Sequence, residues 1–214
     1  MSDVLRNLSH FFSRLTKDLT PTQILFIGFL FTELLGSILL WLPVSSINNK
    51  SVDLIDAFFT ATSALCVTGL TVKNTLAQWS LFGKIIIMIL IEIGGLGFMT
   101  IITLFFIFAG KKITLKERLV IQETLNQLNC KGIVVLVKQI FYFAIAIQGI
   151  GALILALKFK LYDNSIGFLK SLFMGVFHSI SAFCNAGFDI VGQDSFCPYV
   201  NDITINFTVM ALII

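Results

Sequence analysis

The chain has 214 residues, of which 57% are hydrophobic and only 13% charged. A soluble globular chain is about one-quarter charged, so this composition, with 22 phenylalanines and a mean hydropathy of +0.93, excludes an ordinary soluble domain. The formal net charge of +3 gives no reason to expect a nucleic-acid partner; the lipid bilayer is the expected surroundings.

Residues 1–20 carry Arg6, Arg14 and Lys17 among Phe11, Phe12 and Leu15. They read as an amphipathic cytoplasmic leader at the inner membrane surface, with a solvated, frayed terminus as the alternative. They lack the continuous apolar core of a secretory signal. Gln23 to Leu42 is a first span of 20 residues with Glu33 as its only charge, the length needed to cross a hydrocarbon core. Val52 to Ala64 is too short to cross: 13 residues reach about 20 Å. Cys66 to Thr71 follows, a poor helix continuation with β-branched Val67 and Thr68 around Gly69.

Leu81 to Ala109 reads as a second span, with Gly94, Gly95 and Gly97 allowing close approach of other backbone. Lys111 to Lys131 is a charged surface segment, Ile133 to Leu157 a third span, and Phe168 to Phe183 a second short helix. Ile203 to Ile214 begins a fourth apolar run, too short at 12 residues to cross, and the chain is therefore expected to be incomplete. The leader and the 111–131 loop hold eight basic residues against five in the loops flanking the short helices. That excess predicts a cytoplasmic N-terminus, with the short helices outside.

The two short segments are related. A shift of 118 positions lays FTATSALCVTGL (59–70) on FHSISAFCNAGF (177–188), matching Ser63 with Ser181, Cys66 with Cys184 and Gly69 with Gly187. The predicted fold is thus an all-α polytopic membrane protein of two span–pore helix–span repeats with re-entrant filter loops, the second repeat incomplete. Its divisions are a leader (1–20), a first repeat (21–110), a cytoplasmic linker (111–131) and a truncated second repeat (132–214). Irregular backbone at membrane depth must be buried or line a water-filled path. Val67, Thr68 and Gly69 with Asn185, Ala186 and Gly187 then offer neutral backbone oxygens in place of a cation's hydration shell.

Other polar residues have sharper and blander readings. Glu33 and Glu92 lie near mid-membrane, as functional acids or as helix-packing hydrogen-bond partners. Lys138 could pair with Glu92, though its depth suits snorkelling. His178 aligns with Thr60 and reads as a packing residue rather than a metal ligand. Four cysteines without metal spacing are expected as free thiols, Cys66 and Cys184 in small packing roles. No nucleophile–base pair suggests an enzyme, and no cofactor is expected.

The runs TATSALCVTGL, IEIGGLGFMT followed by GKKITLKERL, and HSISAFCNAGF resemble the Trk/Ktr superfamily of potassium transporters, especially the membrane subunit of bacterial Ktr-type uptake systems. The resemblance implies four span–pore-helix–span repeats around one pore, each with a single filter glycine, here Gly69 and Gly187. It implies potassium as the transported ion, with sodium as a candidate co-substrate, in a multi-pass protein of the bacterial cytoplasmic membrane. It also implies a homodimer and a cytosolic ring of nucleotide-binding regulatory subunits, for which Lys111 to Lys131 is the candidate contact. The alternative is a non-conducting assembly or regulatory fragment of such a transporter.

Overall fold

The computed structural model describes residues 20–97, 100–101, 103–104, 107, 118–119, 121–122, 132–163, 165 and 167–214. The leader before Thr20 and most of the 111–131 segment, including Lys111 and Lys112, lie outside the described residues, although Arg118 is helical and exposed. Two compact units can be separated, one of Met1–Phe31 with Phe98–Val137, the other of Thr32–Gly97 with Lys138–Ile214. The second unit carries both short helices and their loops.

The described residues form helices α1 (Pro21–Trp41), α2 (Leu54–Leu65), α3 (Thr75–Gln78), α4 (Leu81–Leu96), α5 (Ile133–Tyr162), α6 (Phe168–Phe183) and α7 (Ile203–Ile213). They hold no strand beyond one isolated bridge between Ser46 and Trp79. Among the described residues, two helices are long and apolar enough to cross a membrane, Thr22–Trp41 with 20 residues and Ile133–Tyr162 with 30.

Helix α1 starts at Pro21, a residue suited to the first turn of a helix, and Thr20 and Gln23 form a reciprocal cap. The Gln23 amide oxygen accepts the Thr20 N–H at 2.9 Å, and the Thr20 hydroxyl accepts the Gln23 N–H at 3.4 Å. Helix α2 starts at Leu54 rather than Val52, because Asp53 is still extended at ψ 137°. Helix α5 runs five residues past Leu157: Lys158 pairs with Asp202 at 3.2 Å, and the Tyr162 hydroxyl donates to the Pro198 carbonyl. Asp202 also accepts the Thr204 and Ile205 N–H groups, capping α7.

The expected continuous span from Leu81 to Ala109 is interrupted. Helix α4 ends at Leu96, where Gly97 takes a left-handed φ of 84° and its N–H returns to the Gly94 carbonyl.

Helices α5 and α6 run antiparallel along small residues at four-residue spacing. Ser171 donates to the Ala156 carbonyl, Gly175 lies against the Ala152 carbonyl, and Ser179 donates to the Gln148 carbonyl at 2.7 Å. Without an apolar driving force between helices in lipid, close approach and such bonds hold the pair.

Helix α4 is placed between the ends of both short helices by its glycines. A Cβ on Gly94 would lie 2.0 Å from the Leu65 carbonyl oxygen, and one on Gly95 2.4 Å from the Cys184 sulfur. Gly149, by contrast, has nothing within 4 Å of a built Cβ. Gly94→Ala is expected to abolish the folded protein, since the obstacle is main chain. Gly149→Ala is expected to stabilise α5 by up to about 1 kcal/mol. Thermal unfolding in detergent, followed by size-exclusion recovery, checks both.

Candidate functional site

The site is built at the C-terminal ends of α2 and α6. Each helix closes with the same motif. After α2, the Val67 N–H donates to the Ala64 carbonyl at 3.3 Å and the Thr68 N–H to the Ser63 carbonyl at 3.0 Å. After α6, the Asn185 N–H donates to Ala182 at 2.9 Å and the Ala186 N–H to Ser181 at 2.7 Å. This pairing is the Schellman closure, which needs a left-handed residue just past the cap. Val67 and Asn185 fill that place, both at φ 57°.

Asn tolerates the left-handed region, whereas a β-branched residue there is an outlier. Such a conformation costs of order 1–3 kcal/mol. The first turn therefore carries backbone strain at Val67 that the second does not carry at Asn185.

Two residues later the chain is left-handed again, at Gly69 (φ 73°) and Gly187 (φ 71°). Beyond each glycine a carbonyl is tied back to the helix: the Ser63 hydroxyl donates to Leu70 at 2.7 Å, and the Ser181 hydroxyl to Phe188 at 2.6 Å. Between these ties, the carbonyls of Val67, Thr68 and Gly69 accept no hydrogen bond among the described residues, and neither do those of Asn185, Ala186 and Gly187. The two turns meet each other, for a Cβ on Gly69 would stand 2.6 Å from the Ala186 oxygen and 3.2 Å from the Gly187 Cα. All six residues singled out in the sequence thus lie together, with Thr68, Asn185 and Gly187 exposed. Helix C-termini carry partial negative charge, so both ends favour a cation at this junction.

Glu33 and Glu92 both bond to neighbouring helices. Glu33 on α1 accepts the Thr62 hydroxyl of α2 at 2.5 Å. Glu92 on α4 receives the Gln148 amide at 3.2 and 3.1 Å on its two oxygens, with the Cys184 sulfur 3.7 Å from one of them. The partner of Glu92 is therefore Gln148 and not Lys138. Gln148 was not singled out in the sequence, although an uncharged amide deep in an otherwise apolar stretch of α5 is a usable signal.

His178 is buried and joins the second turn's return strand to α6. Its Nε2 accepts the Ile190 N–H at 3.1 Å, which places the ring proton on Nδ1, facing the Met174 carbonyl at 2.7 Å. Phe159 and Phe196 pack against its ring, with centroids at 5.4 and 5.0 Å, in agreement with a packing role. Cys66, Cys184 and Cys197 are free thiols, but the expected likeness of the first two fails: Cys184 is buried and Cys66 exposed. The difference follows from Gly95, which receives Cys184, while Gly94 meets the Leu65 carbonyl instead.

Outside the turns, Lys73 bonds Asp56 in the first turn of α2 at 2.7 Å, and this carboxylate holds the ammonium above its ordinary range. Asn74 caps α3 and also donates to the Gly192 carbonyl at 2.8 Å, joining the loops that follow the two turns.

The sequence matches the TrkH family, described as cation transport protein, over residues 16–214. This chain belongs to the TrkH family. It is 47% identical to the Ktr system potassium uptake protein B of Bacillus subtilis over 91% of this chain and 42% of that protein. It is 45% identical to the potassium/sodium uptake protein NtpJ of Enterococcus hirae, over 94% of this chain and 44% of that one. The Ktr system potassium uptake protein D of Bacillus subtilis is 38% identical over 95% of the chain. The chain spans less than half the length of these relatives. Its all-helical fold and apolar spans are those of a membrane protein, and the relatives' names describe uptake rather than catalysis.

Replacing Glu92 by leucine leaves the Gln148 amide without its acceptor beside the second turn. Glu92→Leu is expected to destabilise the protein by about 1–3 kcal/mol, and Glu92→Gln by clearly less. Denaturant titration in detergent distinguishes the two.

Proposed function

We propose that this chain forms part of a potassium-translocating pathway, in which the carbonyls of Val67, Thr68, Gly69, Asn185, Ala186 and Gly187 replace the water around the ion. The observation carrying this reading is the pair of turns whose three successive carbonyls are left without hydrogen-bond donors. Unbonded carbonyls are costly in a low-dielectric setting unless a cation or water compensates them. A monovalent ion entering such a setting has an idealised penalty of order 20 kcal/mol. A helix terminus offers at most about 2 kcal/mol against it. Direct ligation by oxygens must make up the difference, and neutral oxygens also release the ion readily.

In this reading the chain lies in the bacterial cytoplasmic membrane with its N-terminus inside, and α2 and α6 enter from the outer face without crossing. Residues 21–110 and 132–214 are two related repeats joined by the 111–131 linker after the 1–20 leader. Sodium is a candidate coupled ion, as the name of the Enterococcus hirae relative suggests. The partners proposed are a second copy of the protein and a cytosolic nucleotide-binding ring touching Lys111, Lys112 and Arg118.

Rubidium uptake into proteoliposomes tests the carbonyl pathway. Gly69→Ser is expected to cut uptake by about tenfold or more, the factor that 1.4 kcal/mol commands, because its side chain drives into the Ala186 carbonyl at a left-handed φ. Gly187→Ser should be milder, since its nearest obstacle is the Gly69 Cα at 3.4 Å. Unchanged uptake in both variants refutes the pathway and leaves the non-conducting assembly role.

A further inference from the structure

Resting on that reading, we propose that Ser63 and Ser181 are positioning residues that set ion selectivity, each holding the peptide groups on both sides of one turn glycine. Ser63 grips the first turn twice. Its carbonyl accepts the Thr68 N–H at 3.0 Å, and its hydroxyl donates to the Leu70 carbonyl at 2.7 Å, with Gly69 between the two grips. Ser181 does the same around Gly187, through the Ala186 N–H at 2.7 Å and the Phe188 carbonyl at 2.6 Å. Both serines are buried, at 4% and 3% exposure, so water does not substitute for these bonds.

This is not what a helical hydroxyl does by default. The usual partner is the carbonyl one turn back in the same helix. Ser37, Thr60 and Thr208 all donate there, to Glu33, Asp56 and Thr204. Ser63 and Ser181 instead reach seven residues forward, and both do so at matched places.

The proton count fixes the direction of one further bond. The single Ser63 proton goes to the Leu70 carbonyl, which can only accept. The Thr68 hydroxyl, 2.9 Å from the Ser63 oxygen, must then be the donor in that pair. Ala186 occupies the matching place in the second turn and has no such group. The first clamp thus has one more bond than the second.

Selectivity between ions of similar charge depends on where the carbonyl oxygens stand and how firmly they are held. Losing the hydroxyl frees the peptide beyond the glycine to rotate, so the oxygens can close around a smaller ion.

The test is rubidium against sodium uptake by the reconstituted protein, at matched amounts of folded transporter. Ser63→Ala and Ser181→Ala are each expected to lower the rubidium-over-sodium preference several-fold, up to about tenfold. Thr68→Ala, at an exposed position, should shift it the same way by a smaller factor. Ser179→Ala removes a buried hydroxyl bond of similar length from α6, directed to α5 rather than to the turn, and should leave the preference unchanged.

A preference in Ser181→Ala or Ser63→Ala no different from that of Ser179→Ala overturns the clamp. If neither serine variant folds, an unshifted preference in Thr68→Ala overturns it. Should Gly69→Ser still reduce uptake in that case, only the clamp fails; if Gly69→Ser and Gly187→Ser are both without effect, the carbonyl pathway itself fails.

Discussion

The approach of one helix to two helix ends controls the rest of this structure. Helix α4 presents Gly94 to the last carbonyl of α2 and Gly95 to the cap residue of α6, at separations that leave no room for a methyl group. Adjacent residues on a helix point about 100° apart, so a glycine pair can face two neighbours at once. Both turns are thereby referred to one rigid element, and Gly69 and Gly187 come into contact as a result.

Around that junction, polar groups are satisfied almost wholly by one another. The Gln148 amide is bonded to Glu92, and Glu92 approaches Cys184, so a chain of bonds runs from α5 through α4 to the second turn. On the other side, Glu33 ties α1 to α2 through Thr62. Even a partly buried acid is costly unless it is hydrogen-bonded, and each of these acids is placed where a neighbouring helix offers a donor. Against this background, the six carbonyls at the two turns accept no hydrogen bond among the described residues, and the proposed passage of a cation would give them a use.

Much of this arrangement was legible in the sequence, for physical reasons that can be named. Helix α6 occupies the residues expected of it because its apolar run is bounded by Gly167 and by the Cys184–Gly187 turn. The serines, cysteines and glycines of the two turns could be matched because a tight closure restricts residue choice at each step. What escaped were features set by tertiary partners. Gln148 acquires its role only from Glu92, 56 residues away. The unlike burial of Cys66 and Cys184 depends on which of two neighbouring glycines each meets. The end of α4 at Gly97 is a choice of backbone conformation that an apolar run on either side conceals.

Val67 has a consequence for how the two turns respond to heat. A left-handed valine is held in place by its surroundings rather than by its own preference, and Asn185 is far less so. Any loosening of the junction gives the first turn a downhill route that the second lacks. With 1.4 kcal/mol worth a factor of ten in population, the two turns are mechanically unequal, one sprung and one at rest.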